Sequence, residues 1–162
     1  MKRFGKLALI CLVAIMVMLP ATQTFAQDEV IQSSDISLQK LQQLFKAALM
    51  TAEIEGDVLV VKGDSGFKMN IKIYSPRKLI AYFLFFNLKD NISQADKLQA
   101  IQALNNDMLF ARYSIYLDKG LLVDYFVSYE DGIPAKLVVR SAKMLEEAGI
   151  GGIRKHCLSL MR

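Results

Sequence analysis

One histidine, two cysteines and no tryptophan occur among 162 residues. A three- or four-ligand zinc site cannot be assembled from His156 and Cys157 without carboxylates from elsewhere in the chain. Phosphate-binding glycine loops, dinucleotide fingerprints and nucleophile elbows are missing as well. Asp64-Ser65-Gly66 and Glu130-Asp131-Gly132 lack the spacing of a calcium loop and read as turns. No metal, cofactor or catalytic residue is therefore expected. His156 and Cys157 are adjacent, but neighbours on a helix diverge by about 100°, and no orienting carboxylate stands nearby in sequence. A packed thiol beside a surface imidazole is the simpler reading.

A strong charge of one sign is also missing once the N-terminus is considered. Lys2, Arg3 and Lys6 precede an apolar run over residues 7–19, followed by Pro20 and the small-residue site Thr24-Phe25-Ala26. These are the three parts of a secretory signal peptide over residues 1–26. Its apolar run is shorter than the roughly 20 residues needed to span a bilayer. Cys11 lies inside that run, with Ile10 before it where a lipoprotein signal takes a small residue. Removal of the leader takes three basic residues and no acidic one, so 20 Lys and Arg fall to 17 against 16 Asp and Glu. Little field for nucleic acid remains, and no membrane attachment after cleavage is expected. The mature chain keeps one cysteine, so no internal disulfide can form. An exported bacterial protein, periplasmic or secreted, is the expectation.

Residues 27–35 read as a short, loose lead-in and residues 36–162 as one domain. Ser34 or Asp35 caps a predicted helix over residues 36–50, with Leu38, Leu41, Leu44, Phe45 and Ala48 at helical spacing. The period then changes to two: a strand over Val58–Lys62, turn chemistry at Gly63-Asp64-Ser65-Gly66, and alternation of Phe67, Met69, Ile71 and Ile73 with polar neighbours. Glu53 and Glu55 read as the solvent side of an edge strand. Leu79–Asn87 is apolar on both sides, which implies a central strand or one with a face that meets a partner. Ser93-Gln94-Ala95-Asp96 resembles a capping box, with Asp in place of Glu, opening a second helix with Leu98, Ile101, Leu104 and Met108. A hairpin turning at Asp118-Lys119-Gly120 follows, and Pro134 starts a last helix. Gly149, Gly151 and Gly152 in that helix imply a kink or close approach to another backbone. The order α-β-β-β-α-β-β-α, with about five strands and tight connections, predicts an α+β domain with a mainly antiparallel sheet.

Leu104-Asn105-Asn106, Phe110-Ala111-Arg112, the strand from Tyr113, Asp118-Lys119-Gly120 and the strand from Leu121 together resemble the YbjN family. That pattern is a helix ending in a leucine-asparagine pair, then phenylalanine, a small residue and a basic one, then a hairpin. Members are described as candidate bacterial sensory transduction regulators with a fold like the type III secretion chaperones. The resemblance implies that fold and a mode of action by binding another chain, and it brings no catalytic residues. An export leader, near-neutral charge and glycines in the last helix depart from the family's pattern.

If Phe67, Met69, Ile71, Tyr113, Ile115, Leu117, Val123 and Tyr125 face the helices, the other side presents Lys68, Lys72, Tyr74, Tyr82, Leu84 or Phe86, Arg112, Tyr116 and Phe126. Aromatic and basic groups of that kind suit a protein-binding surface. The expected site is Lys72, Tyr74, Tyr82, Phe86, Arg112, Tyr116 and Phe126, and the expected partner is another protein or a second copy. The alternative is a small-ligand or lipid-binding envelope protein, with the apolar strand from Leu79 to Phe86 lining a closed apolar pocket.

Overall fold

A computed structural model describes residues 29–162; the expected leader lies outside them. The order is β1 (Val30–Ile31), α1 (Leu38–Ala47), β2 (Thr51–Glu55), β3 (Val58–Lys62), β4 (Lys68–Tyr74), β5 (Leu79–Asn87), α2 (Gln94–Asp107), β6 (Arg112–Tyr116), β7 (Gly120–Ser128), β8 (Ile133–Pro134) and α3 (Ala135–His156). Strands β2 to β7 form one antiparallel sheet with spatial order β2-β3-β4-β5-β7-β6. The class is α+β, as expected, with six strands in this sheet where the sequence suggested about five. The strand left out of that count is β2, which is the edge strand with Glu53 and Glu55 on its solvent side.

All three helices lie on one side of the sheet. α1 packs on β2 and β3, α2 on β6, and α3 on β5 and β7. Beneath them the core gathers Leu59 and Val61, Met69 and Ile71, Ile80, Tyr82 and Leu84, and Leu121 and Val123 from alternate strand positions. Each large apolar side chain buried this way contributes about 1.5–3 kcal/mol relative to exposure.

Local chemistry sets the helix ends. Ser37, not Ser34 or Asp35, caps α1: its hydroxyl accepts from Lys40 N at 3.2 Å, because residues 33–35 are taken up by a 3-10 turn. Ser93 caps α2 as expected, accepting from Asp96 N at 3.1 Å. Its hydroxyl also donates to the Asp96 carboxylate at 2.6 Å, a shorter reach than the Glu of a full capping box makes. Leu98 on this helix is exposed, not buried. α3 starts after Pro134, and Ala135 N donates to Glu29 O at 2.8 Å.

That last bond corrects the reading of a loose lead-in. Val30 and Ile31 pair antiparallel with Pro134 and Ile133, and Ile31 is buried. Two further corrections concern turns and glycines. The hairpin turns at Leu117 and Asp118, both in the left-handed region, with Lys119 N donating to Tyr116 O at 3.2 Å, so Leu117 is exposed instead of facing the helices. Helix α3 runs unbroken through its glycines. A Cβ at Gly152 would stand 2.7 Å from the Tyr113 hydroxyl and 3.0 Å from Leu104, and one at Gly149 would stand 3.0 Å from Leu84. These two glycines let the helix close onto side chains of the sheet and of α2, not onto another backbone.

α1 ends in a Schellman arrangement, with Met50 N on Phe45 O and Leu49 N on Lys46 O, both at 3.0 Å. The left-handed residue is Leu49, with φ 63° and 96% exposure, where glycine would be unstrained. Leu49→Gly is expected to raise unfolding free energy by about 1 kcal/mol, read as a higher urea midpoint at unchanged slope. A lower midpoint would contradict this account of the helix end.

Candidate functional site

Which side of β5 faces the helices is set by the turn before it. Residues 75–78 connect β4 to β5 with Tyr74 opposite Leu79, so Ile71 stands opposite Tyr82 and Asn70 opposite Phe83. Residues directly opposite share a face. Tyr82, Leu84 and Phe86 therefore join Met69 and Ile71 under the helices, and Phe83 and Phe85 join the polar side of β4.

Two expected site residues are corrected by this register. Tyr82 is fully buried, and its hydroxyl donates to Val138 O of α3 at 3.1 Å. Burial also pushes its ionisation well above the usual tyrosine range. Phe86 is buried against the Phe67 ring at 5.2 Å and beside Gly149. Neither can meet a partner on the open face. Phe83 and Phe85, on the other side of β5, take their places.

The other five expected residues, Lys72, Tyr74, Arg112, Tyr116 and Phe126, do lie on the face that the helices leave uncovered, and all but half-buried Lys72 are exposed. Together with β5 they make a continuous aromatic stripe. Tyr116 meets Phe85 edge-on at 5.2 Å, Phe85 lies 6.5 Å from Phe83, and Phe83 meets Phe126 edge-on at 6.1 Å. Arg112 stacks over Phe126 at 5.7 Å and holds the Asp124 carboxylate through bonds of 3.0–3.3 Å. Asp124 is only 1% exposed, so Arg112 supplies the charge that makes its burial tolerable. Its bonds to Asp124 raise the Arg112 pKa further. On the other flank Lys72 bonds Asp57 at 2.6 Å, which holds the Asp57 carboxyl below its usual range and raises the lysine, and it lies 5.9 Å from the Tyr74 ring.

The sheet edges are less available than the face. On the outer side of β6, Asn105 takes the place of a neighbouring strand, accepting from Tyr113 N at 2.9 Å and donating to Tyr113 O at 3.0 Å. On β2, Gln42 donates to Ala52 O at 3.0 Å. The asparagine of the leucine-asparagine pair is thus an edge clamp, while Leu104 beside it is fully buried. Amides that satisfy edge groups discourage strand addition at those points.

Elsewhere the groups that invited a chemical reading are engaged. His156 Nε2 lies 2.9 Å from Asp107, which also bonds Lys155 at 2.8 Å; these contacts, the lysine's first, hold the Asp107 carboxyl below its usual range. That carboxylate comes from α2, out of reach of the sequence argument that found none nearby. Cys157 is buried, facing a cavity of about 10 Å³ lined by Leu88, Ile101, Leu104, Ile115 and Leu121. A wider cleft of about 340 Å³ is open and lined by Asp64, Lys143, Glu147 and Arg154. At its wall buried Glu146 accepts from Ser65 N at 3.1 Å and from the Ser65 hydroxyl, fastening the β3–β4 turn to α3. Neither is the closed apolar chamber that a lipid would need. Among the described residues no three His, Cys, Asp or Glu side chains are grouped to hold a metal, and no helix is long and apolar enough to cross a membrane.

No protein-family model matches the sequence, and no curated protein matches it. Solved structures do. YbjN from E. coli, proposed as a transcription regulator, superposes with TM-score 0.64 and 14% identity over 78% of this chain and 96% of its own. A chain of the HopA1–SchA chaperone–effector complex superposes with TM-score 0.51 and 13% identity over 70% of this chain and 91% of its own. At such identities the likeness is one of fold: the chain has the YbjN-like architecture that its motif implied, shared with a chaperone–effector structure.

Burial pushes the Cys157 thiol up to about 11 and the Tyr113 hydroxyl up to about 12. Unfolded, the two ionise near 9 and 10, so between those values and the folded ones the native state binds more protons. Stability is then present below about pH 9 and falls as pH rises through the folded values. Cys157→Ala is expected to remove the first part of that decline, starting near pH 9, in urea midpoints measured across alkaline pH. An unchanged alkaline profile would contradict the burial of the thiol.

Proposed function

We propose that this chain is an exported, non-enzymatic binding domain whose uncovered sheet face takes a segment of a partner polypeptide. The observation that carries the reading is the row of Tyr116, Phe85, Phe83 and Phe126 on a side of the sheet that no helix among the described residues covers. Contiguous exposed apolar patches on folded domains mark interaction sites far more often than isolated exposed side chains do. Tyrosine, phenylalanine and arginine are residues through which such sites act, since a ring buries much area at small cost in side-chain entropy.

Likeness in fold to a chain of a chaperone–effector complex supports a protein as the partner class. Edge clamps by Asn105 and Gln42 favour packing on the face over strand addition at those points. Export rests on the leader read from residues 1–26, and a bacterial envelope or secreted setting follows from it.

A photo-cross-linking amino acid placed at Phe85 or Tyr116 is expected to give adducts with a polypeptide in the producing bacterium, while the same probe at Lys143 on the helix side gives none. Adducts from Lys143 alone would contradict the face. Sequencing of the recovered mature protein is expected to start at Gln27, and a cytoplasmic chain retaining residues 1–26 would contradict export.

A further inference from the structure

The cations on the uncovered face are not equivalent. Arg112 is matched by Asp124 and Lys72 by Asp57. Lys62 and Lys68 are also exposed on this face, on the same side of their strands as Val60 and Asn70, and neither has an ion-pair partner among the described residues. They stand directly opposite each other across β3 and β4. Side chains so placed lie about 4.5–5.5 Å apart at Cβ, and like charges there disfavour the strand pairing. The β4–β5 register, continued one step beyond Met69 and Leu84, sets Lys68 beside Phe85, the ring that Tyr116 and Phe83 flank. This pair, with Glu53 of β2 diagonal to Lys62 but in no ion pair with it, borders the aromatic row on its β4 side.

Resting on the binding role proposed above, we infer that Lys62 and Lys68 form the anion subsite of this face. The segment it takes from another polypeptide carries aspartate or glutamate next to aromatic or aliphatic side chains. Apolar residues cover Phe85 and Tyr116, and the carboxylate lies between the two ammonium groups and relieves their repulsion. A second copy of the chain is a poorer occupant, because an isologous contact repeats the same charges on both sides. A two-fold axis along the strands between β5 and β7 sets Lys68 over Ser114 of the other copy's β6, which offers no carboxylate; an axis across the strands at Asn70 sets Lys68 over Lys72.

The test uses two synthetic nonapeptides with the same apolar residues and one tryptophan, with three glutamates in one replaced by three lysines in the other. Tryptophan emission reports binding cleanly, because the protein has none. At low salt the glutamate peptide is expected to bind the mature chain, from Gln27 on, about tenfold more tightly than the lysine peptide. Lys62→Gln with Lys68→Gln removes the preference, Lys62→Glu with Lys68→Glu reverses it, and Phe85→Ser weakens both peptides. All these positions are exposed, and unchanged thermal melting serves as the folding control. Equal binding of both peptides, still weakened by Phe85→Ser, would overturn the subsite and leave the binding face standing. Binding of neither peptide would overturn both. A dimer of the free protein that Phe85→Ser dissolves and neither peptide disrupts would assign the face to a second copy and overturn the subsite.

Discussion

Strand β5 is apolar on both sides, while the helices cover one. Ile80, Tyr82, Leu84 and Phe86 are buried on the covered side, and Tyr82 is tied to α3 through Val138 O. Tyr113 of β6 makes a second tie, its hydroxyl donating to Ala148 O at 2.9 Å. The two carbonyls are about 15 Å apart along a helix that rises 1.5 Å per residue. The helix is thus held at two separated points and drawn close to the sheet at Gly149 and Gly152, on the covered side. Ala81, Phe83 and Phe85 remain on a side that nothing else in residues 29–162 packs over with a helix.

Much of this arrangement is legible in the sequence, because it rests on period and local chemistry. The alternation in Met69-Asn70-Ile71-Lys72-Ile73 fixes the sides of β4, Ser93 caps its helix, and Glu53 and Glu55 mark an edge. β5 is where the reading went astray, and for a definite reason. A strand apolar at every position carries no parity signal of its own. Its sides are decided by the four-residue turn over residues 75–78, with Lys78 in the left-handed region at φ 49°. Counting across that turn from Tyr74 would have placed Tyr82 and Phe86 inside and Phe83 and Phe85 outside. The pairing of β1 with β8 was also hidden, since two-residue strands have no period to read. The clamp that Asn105 makes on the edge of β6 joins residues of two elements, so its sequence position alone does not show it.

Charge on the uncovered face is arranged with the same economy. Asp124 is buried and neutralised by Arg112, and Asp57 is set against Lys72, so the unpaired acids Glu53 and Glu55 stand only at the β2 edge, away from the rings. The YbjN-like fold accounts for the helices and sheet. The exposure of the rings and the cations beside them are features of this chain's own side chains on that fold.

The most direct check is solvent relaxation of side-chain NMR signals in the free protein by a neutral gadolinium chelate. The account predicts strong broadening of the ring signals of Phe83, Phe85, Tyr116 and Phe126, with Tyr82, Phe86 and Tyr113 protected. Protection of Phe85 and Tyr116 equal to that of Tyr82 would mean the face is already covered, and would contradict the account at its base.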